Sequence, residues 1–227
     1  MPNSESEALW TSVDRYLNDT LIPPDPALDA ALKANAAANL PAIDVSPSQG
    51  KLLQLLAETQ RAHRILEIGT LGGYSTICLA RALPPGGKLI TLELDPHHAE
   101  VALANIAHAG LTHLVELRLG PALDSLNQLH AEHADPFDLI FLDANKDGYP
   151  LYLTAALKLA RPGTLILADN VIRDGDVVNH TSTDANTQGV RRFLELLAAD
   201  PRISSAAIQT VGSKGYDGFA IARVLSL

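Results

Sequence analysis

Arg64-Ile65-Leu66-Glu67-Ile68-Gly69-Thr70-Leu71-Gly72-Gly73-Tyr74-Ser75-Thr76 is the stretch that decides how the rest of the chain is read. Ile65 to Ile68 is a short apolar run, β-branched enough to be a buried strand of a parallel sheet. From Tyr74 to Leu83, apolar residues recur at helical spacing with no breaker before Pro84. Gly69, Gly72 and Gly73 lie between and supply positive φ or close backbone approach, so a ligand can lie across the strand end. Strand, glycine turn and helix form a cradle for a nucleotide-like cofactor. The glycines miss the dinucleotide pattern, because Thr70 and Leu71 separate Gly69 from Gly72. Glu67, expected at the mouth of the turn, would repel a pyrophosphate and favour a cationic ligand. The sulfonium and ammonium of S-adenosylmethionine meet that demand better than NAD.

Outward from this stretch, strands and helices alternate. Strands are predicted at Lys88–Leu94, Leu114–Leu119, Phe137–Leu142 and Gly163–Ala168, and helices at His97–Ala109, Pro121–His133, Tyr149–Ala160 and Thr187–Ala199. Residues 171–187 are polar and read as a loop. The tail gives strands Ser204–Val211 and Asp217–Leu225 around Gly212-Ser213-Lys214-Gly215, too close for a crossover helix and therefore an antiparallel hairpin. Before Ile65, two amphipathic helices (residues 5–20 and 25–39) and a third (Lys51–Gln60) form an N-terminal helical layer over residues 1–60. Asp25 caps the second, with Pro26 at its first position. The predicted fold is α/β: a doubly wound, mostly parallel seven-stranded sheet with an antiparallel C-terminal hairpin, in one domain over 1–227.

Composition narrows the function classes. The chain has 227 residues, 47% hydrophobic, enough for a full core. Net charge is −9 and aromatics are 4%, so a polyanionic partner, which needs a basic face, is not expected, and few platforms are left for stacking bases. Cys78 is the single cysteine and cannot form an intramolecular disulfide. The acidic start, Met1 to Glu7, has no signal-peptide character, and no apolar run is long enough to span a bilayer. A cytoplasmic protein without membrane or nucleic-acid partners is expected.

Ligands of open parallel sheets bind beyond the carboxyl ends of the strands. Glu67 and Gly69 stand there on the first strand, Glu93 on the second, Asp143 on the fourth, and Asp169 with Asn170 on the fifth. Glu93 follows Gly69 at close to the spacing of an acid that takes a ribose diol. Asp143, Asp169 and Asn170 offer hard oxygens without Cys or His, which suits Mg2+, Mn2+ or Ca2+ and not zinc. Lys146, three residues past Asp143, is either a surface lysine or a base beside a metal ion. The eight histidines show no pairing with ligand spacing and read as surface residues.

Taken together, Ile65–Thr70, Gly73–Thr76, Leu92-Glu93, Phe141–Lys146 and Asp169-Asn170 resemble the cation-dependent O-methyltransferases. That family includes the caffeoyl-coenzyme A enzymes, bacterial relatives and, more distantly, catechol O-methyltransferase. The resemblance runs from about Val45 to the end. It implies a class I S-adenosylmethionine fold and a homodimer. It implies a cofactor lined by Val45, Glu67, Gly69, Thr70, Ser75, Glu93, Ala122, Asp143 and Asn145, and one divalent ion held by Asp143, Asp169 and Asn170. Lys146 would be the base beside the substrate, with Asp174 where relatives touch substrate. Asn145 stands where the family commonly has a second aspartate, and Gly148 where the plant enzymes have a larger polar residue. The reaction implied is methyl transfer to one hydroxyl of a catechol-type phenolic substrate. Two other classes share parts of the pattern: a nicotinamide-dependent oxidoreductase and a non-catalytic adenosyl-binding protein.

Overall fold

A computed structural model describes residues 4–226. Met1, Pro2 and Asn3 of the acidic start, and Leu227, lie outside the described residues. Helices α1 (Ser4–Leu21), α2 (Pro26–Ala37) and α3 (Pro47–Thr59) precede the sheet. Asp25 caps α2 by accepting from the amides of Ala27 and Leu28, and it also pairs with Arg81. Ser46 caps α3 through the Gln49 amide.

The sheet follows the predicted alternation. Strand β1 (Arg64–Ile68) leads through Gly73 into α4 (Tyr74–Ala80), then β2 (Lys88–Glu93), α5 (Pro96–His108), β3 (Val115–Leu119) and α6 (Ala122–Ala131). β4 (Leu139–Leu142), α7 (Tyr149–Leu157), β5 (Leu165–Asp169), α8 (Ala185–Ala199), β6 (Ile203–Gly212) and β7 (Gly215–Val224) complete it. Strand order is β3-β2-β1-β4-β5-β7-β6, with β7 antiparallel to β5 and β6. The chain winds outward from β1 to β3 and then returns to pair β4 with β1. The switch point thus lies between β1 and β4, where a crevice opens at their carboxyl ends.

Both faces of β1 are covered, which is why its run is apolar without alternation. Leu66 and Ile68 pack with Ile140, Phe137 and Phe193 on one face. Ile65 packs with Leu53, Leu79 and Phe141 on the other. Helix α4 is buried along its whole length, between that second face and the N-terminal helices. No helix among the described residues is long and apolar enough to cross a membrane.

Element boundaries shift in places. Helix α8 begins at Ala185, not Thr187, because Asp184 accepts from the Thr187 amide and starts the helix earlier. The loop 171–187 contains a 3-10 turn, Asp176–Val178. In the C-terminal hairpin Gly212 pairs with Gly215, which leaves a two-residue connection, Ser213-Lys214.

Candidate active site

Gly69 ends β1 with φ of +102°, and a Cβ there would lie 2.1 Å from the Asp143 carbonyl oxygen. Only glycine lets the turn pass this close to β4. Gly72 is equally confined, by Asn35 of α2. Asn105 donates to both the Gly72 carbonyl (2.9 Å) and Asn35 Oδ1 (3.0 Å), and Asn35 donates to Asp44 (2.8 Å). This buried network ties the N-terminal helices to the glycine turn.

The turn opens on a cavity of about 940 Å³ at the carboxyl ends of β1, β2, β4 and β5. Of the residues that the sequence and the resemblance singled out, Val45, Gly69, Thr70, Ser75, Glu93, Ala122, Asp143, Asn145, Lys146, Asp169 and Asn170 line it. Glu67 and Asp174 do not.

Glu67 is a correction. It was expected at the mouth of the turn, but strand alternation puts it on the face of β1 that α4 covers, where it is fully buried. Its carboxylate accepts hydrogen bonds from the hydroxyls of Ser75 (2.6 Å), Thr76 and Thr91 (2.7 Å). Burial pushes its pKa up to about 7 against the pull of those three donors. Glu67 thus locks the glycine turn and the start of α4 from behind. A carboxylate whose folded pKa is raised adds stability below its unfolded pKa, and that stability is lost as pH rises through the folded value. From 4.5 to about 7 the contribution is on the order of 3 kcal/mol. Urea denaturation of wild type and Glu67→Gln should therefore diverge over that window. Wild type is expected to lose stability as pH rises and the variant to lose less; parallel pH profiles would disprove this.

Glu93 reaches the cavity. It is buried, and its oxygens accept from the amides of Thr70 (3.2 Å), Leu71 (2.8 Å), Leu94 (2.8 Å) and Asp95 (2.9 Å). A truncation there strips partners from four backbone groups, so the fold around the glycine turn suffers with the cavity wall. Asp174, which the resemblance put at the substrate, does not line the cavity. It is exposed, in a left-handed run in which Arg173 has φ 57°, Asp174 φ 54° and Gly175 φ 86°. The cavity wall at this point is Arg173.

The metal-type residues meet as expected. Leu142 pairs with Ala168, so Asp143 and Asp169 leave adjacent strand ends together. Asn170 follows in a left-handed conformation (φ 58°) that asparagine tolerates. Burial, and then the charge of Asp143, push Asp169 up to about 7. Lys146 Nζ and a hydrogen bond from Gln49 oppose this shift. Lys146 is itself buried, 2.7 Å from Asp143 Oδ1 and 5.2 Å from the Tyr149 ring centroid. Among the described residues no group of three or more His, Cys, Asp or Glu is placed to hold a metal ion. The set here is two carboxylates and an amide, and the charge of Asp143 already acts on Asp169, a repulsion that a divalent cation would relieve. An oxygen-only set that leaves positions for water or substrate fits Mg2+.

The two departures from the family pattern are linked. A Cβ on Gly148 would meet the Tyr152 ring at 2.6 Å, and Tyr152 donates to Asn145 Oδ1 (2.6 Å). The tyrosine thus fills the space a larger residue 148 would need and caps Asn145. Sequence reasoning missed Gln49, Arg173, Asn186 and Lys214, which also line the cavity. Asn186 holds the turn at Lys146 by accepting from the Lys146 amide (3.0 Å) and the Asp147 amide (3.3 Å). Gln49 lay in the helix-opening Ser46–Gly50 segment, and Arg173 beside Asp174. No sequence signal pointed to Asn186 or Lys214.

Comparison with known proteins agrees with this geometry. A family model described as O-methyltransferase matches residues 24–224. The chain is 55% identical to a catechol O-methyltransferase of Niastella koreensis, over 95% of this chain and 98% of that protein. A Bacillus cereus O-methyltransferase, solved in complex with S-adenosylhomocysteine, superposes with a TM-score of 0.95 at 58% identity, covering 96% of this chain and 99% of that one. TomG of Streptomyces achromogenes, an O-methyltransferase involved in tomaymycin synthesis and solved with S-adenosylmethionine, gives 0.94 at 50%, with 97% and 99% covered.

Proposed function

Because the chain belongs to the O-methyltransferase family and is an S-adenosylmethionine-dependent enzyme, we propose that it methylates one hydroxyl of a catechol-type aromatic diol, with one divalent cation. Membership of the family removes the nicotinamide oxidoreductase and the non-catalytic binding protein. The observation that carries the finer reading is the pairing of Asp143 and Asp169 at adjacent strand ends, with Asn170 and Lys146 on the same cavity wall.

Val45, Gly69, Thr70, Ser75, Glu93, Ala122 and Asn145 line the cofactor's part of the cavity. Glu67 acts from behind by fixing Ser75 and the turn. Asp143, Asp169 and Asn170 would hold the ion, Mg2+ first and Mn2+ or Ca2+ as alternatives. When bound, it supplies chelation of two neighbouring phenolic oxygens and makes the reacting hydroxyl more acidic. Methyl transfer is an in-line displacement at carbon. The substrate oxygen forms the new bond, the sulfur–methyl bond breaks, and S-adenosylhomocysteine leaves. The protein contributes mainly alignment. Lys146 Nζ is paired with Asp143 here; with that carboxylate turned to the ion and its own proton released to solvent, the neutral amine would accept the hydroxyl proton.

The same reading includes a small phenolic acceptor rather than nucleic acid, a cytoplasmic location and a homodimer. Support for the last is an unpartnered apolar surface. Leu9, Val13 and Leu17 of α1 are exposed, as are Ile208 and Val211 of the edge strand β6 that α1 packs against.

Mass spectrometry of catechols, caffeate derivatives and flavonoids, incubated with cofactor and Mg2+, tests the proposal. Monomethylated diols are expected, with matched monophenols unmodified and EDTA abolishing product until Mg2+ or Mn2+ returns. Full turnover in exhaustively metal-free buffer would overturn the metal-dependent reading.

A further inference from the structure

Four cationic or potentially cationic side chains line the cavity, and three of them are engaged. Lys146 pairs with Asp143 at 2.7 Å. His98 lies 3.6 Å from Glu93. Lys214, at the hairpin tip, donates to the Ala42 carbonyl at 3.3 Å, and its charge acts on Asp44. Arg173 is different. Its Nε is buried without a hydrogen-bond partner, and its guanidinium forms no ion pair with a described residue. A buried charged donor left unmade is costly and calls for an explanation.

The surrounding acids are in no position to satisfy it. Asp217 could have neutralised Arg173, yet its Oδ1 accepts from the amides of Ile172 (2.9 Å), Arg173 (3.0 Å) and Gly218 (2.8 Å). It therefore fixes the backbone of Arg173 and leaves the guanidinium free. Asp176 and Asp184 feel the charge of Arg173. Asp176 is spent on Ser182, Asn179 and Thr187, and Asp184 on the cap of α8. Arg173 itself holds a left-handed φ of 57°, followed by Asp174 and Gly175 in the same region. A non-glycine residue held there is strained, and such strain persists where the surroundings impose it for a purpose. Here the purpose is legible: three amides on Asp217 hold a partnerless arginine at the cavity wall.

Position selects the ligand. Arg173 lies three residues beyond Asn170, on the side of the cavity that the proposed metal residues occupy. We propose that Arg173 reads an anion on the methyl acceptor, selecting diols whose ring carries a carboxylate. This rests on the diol reading above. A planar fork of donors matches a carboxylate in two parallel bonds. In a chain of net charge −9, an unpaired local positive charge favours an acidic substrate at this wall.

The experiment compares 3,4-dihydroxybenzoate with its neutral amide, by kcat/KM and by calorimetric affinity in the presence of S-adenosylhomocysteine and Mg2+. Wild type should prefer the acid by about tenfold, equivalent to about 1.4 kcal/mol. That preference should fall to near unity in Arg173→Gln and return in part in Arg173→Lys. Added salt should shrink it in wild type and leave Arg173→Gln unchanged. An acid-to-amide ratio that is the same in wild type and Arg173→Gln would overturn the inference. So would a loss of S-adenosylhomocysteine affinity in Arg173→Gln as large as the loss for the acid, since the anion read would then be the cofactor's own carboxylate. If no diol is methylated, the functional reading fails, while the binding ratio still decides whether Arg173 reads the carboxylate.

Discussion

Asp169→Asn is expected to lower kcat/KM by about three orders of magnitude at saturating cofactor. Lewis-acid stabilisation of a reacting oxygen is worth several kcal/mol, at about 1.4 kcal/mol per factor of ten. Affinity for S-adenosylhomocysteine should change little, because Asp169 lies on the β4–β5 side of the cavity and not at the glycine turn. Stability should move the other way. Burial and the neighbouring Asp143 charge disfavour ionised Asp169 and push it up to about 7. An asparagine removes that repulsion while its amide oxygen can still accept from the Asn170 amide, now 2.8 Å from Asp169 Oδ1. Tyr149 donates to the backbone carbonyl of Asp169, which the substitution leaves in place. Melting in metal-free buffer should therefore be unchanged or higher, while Mg2+ should no longer raise it. A residue kept only for structure would lose stability along with activity. Wild-type turnover at saturating Mg2+ in Asp169→Asn would refute the assignment.

How much of this was legible in the sequence follows from which interactions are local. Strand runs such as Ile65–Ile68 and Phe137–Leu142 announce themselves, because a parallel strand buried on both faces needs apolar residues without a break. Their carboxyl ends then fall at one edge by topology alone, so Asp143, Asp169 and Asn170 could be grouped before any contact was known. The direction of a side chain within the strand is another matter. Glu67 shares parity with Ile65, and which face α4 would cover depends on the right-handed crossover and on the packing of α3, neither written in the motif. Glu93 could be assigned a place but not a burden, because the four amides it holds come from the chain folding back around it. At Arg173 and Asp174 the failure has a third origin. Residues 171–187 carry no periodicity that fixes side-chain direction, and the left-handed residues Arg173, Asp174 and Gly175 turn the chain so that Arg173 is the side chain at the cavity wall. Asn186 and Lys214 arrive from a helix start and a hairpin tip that only tertiary structure brings to the site.

Lys146→Ala is expected to reduce kcat by about 10² to 10⁴, the usual worth of general-base catalysis, with the dissociation constant for S-adenosylhomocysteine nearly unchanged. Its surroundings fix the position of the amine. Nζ is buried, lies 2.7 Å from Asp143 Oδ1 and stands over the Tyr149 ring. The turn that carries it is fixed by Asn186 and by Gly189, where a Cβ would lie 2.3 Å from the Lys146 carbonyl oxygen. A lysine held so firmly beside a proposed metal ligand fits the proposed role of base, and the alternative is a fixed charge that steers an anion. The decisive comparison is Lys146→Arg. Arginine keeps the charge and the pairing with Asp143, but a guanidinium stays protonated and cannot take up a proton. If Lys146 is the base, Lys146→Arg should be nearly as slow as Lys146→Ala, and a more acidic diol should narrow the gap to wild type, because it needs less help to lose its proton. If Lys146 only steers an anionic substrate, Lys146→Arg should restore kcat and added salt should raise KM in wild type and Lys146→Arg alike. The two accounts therefore part on a single rate constant, and a wild-type kcat in Lys146→Arg would remove Lys146 from the chemical step.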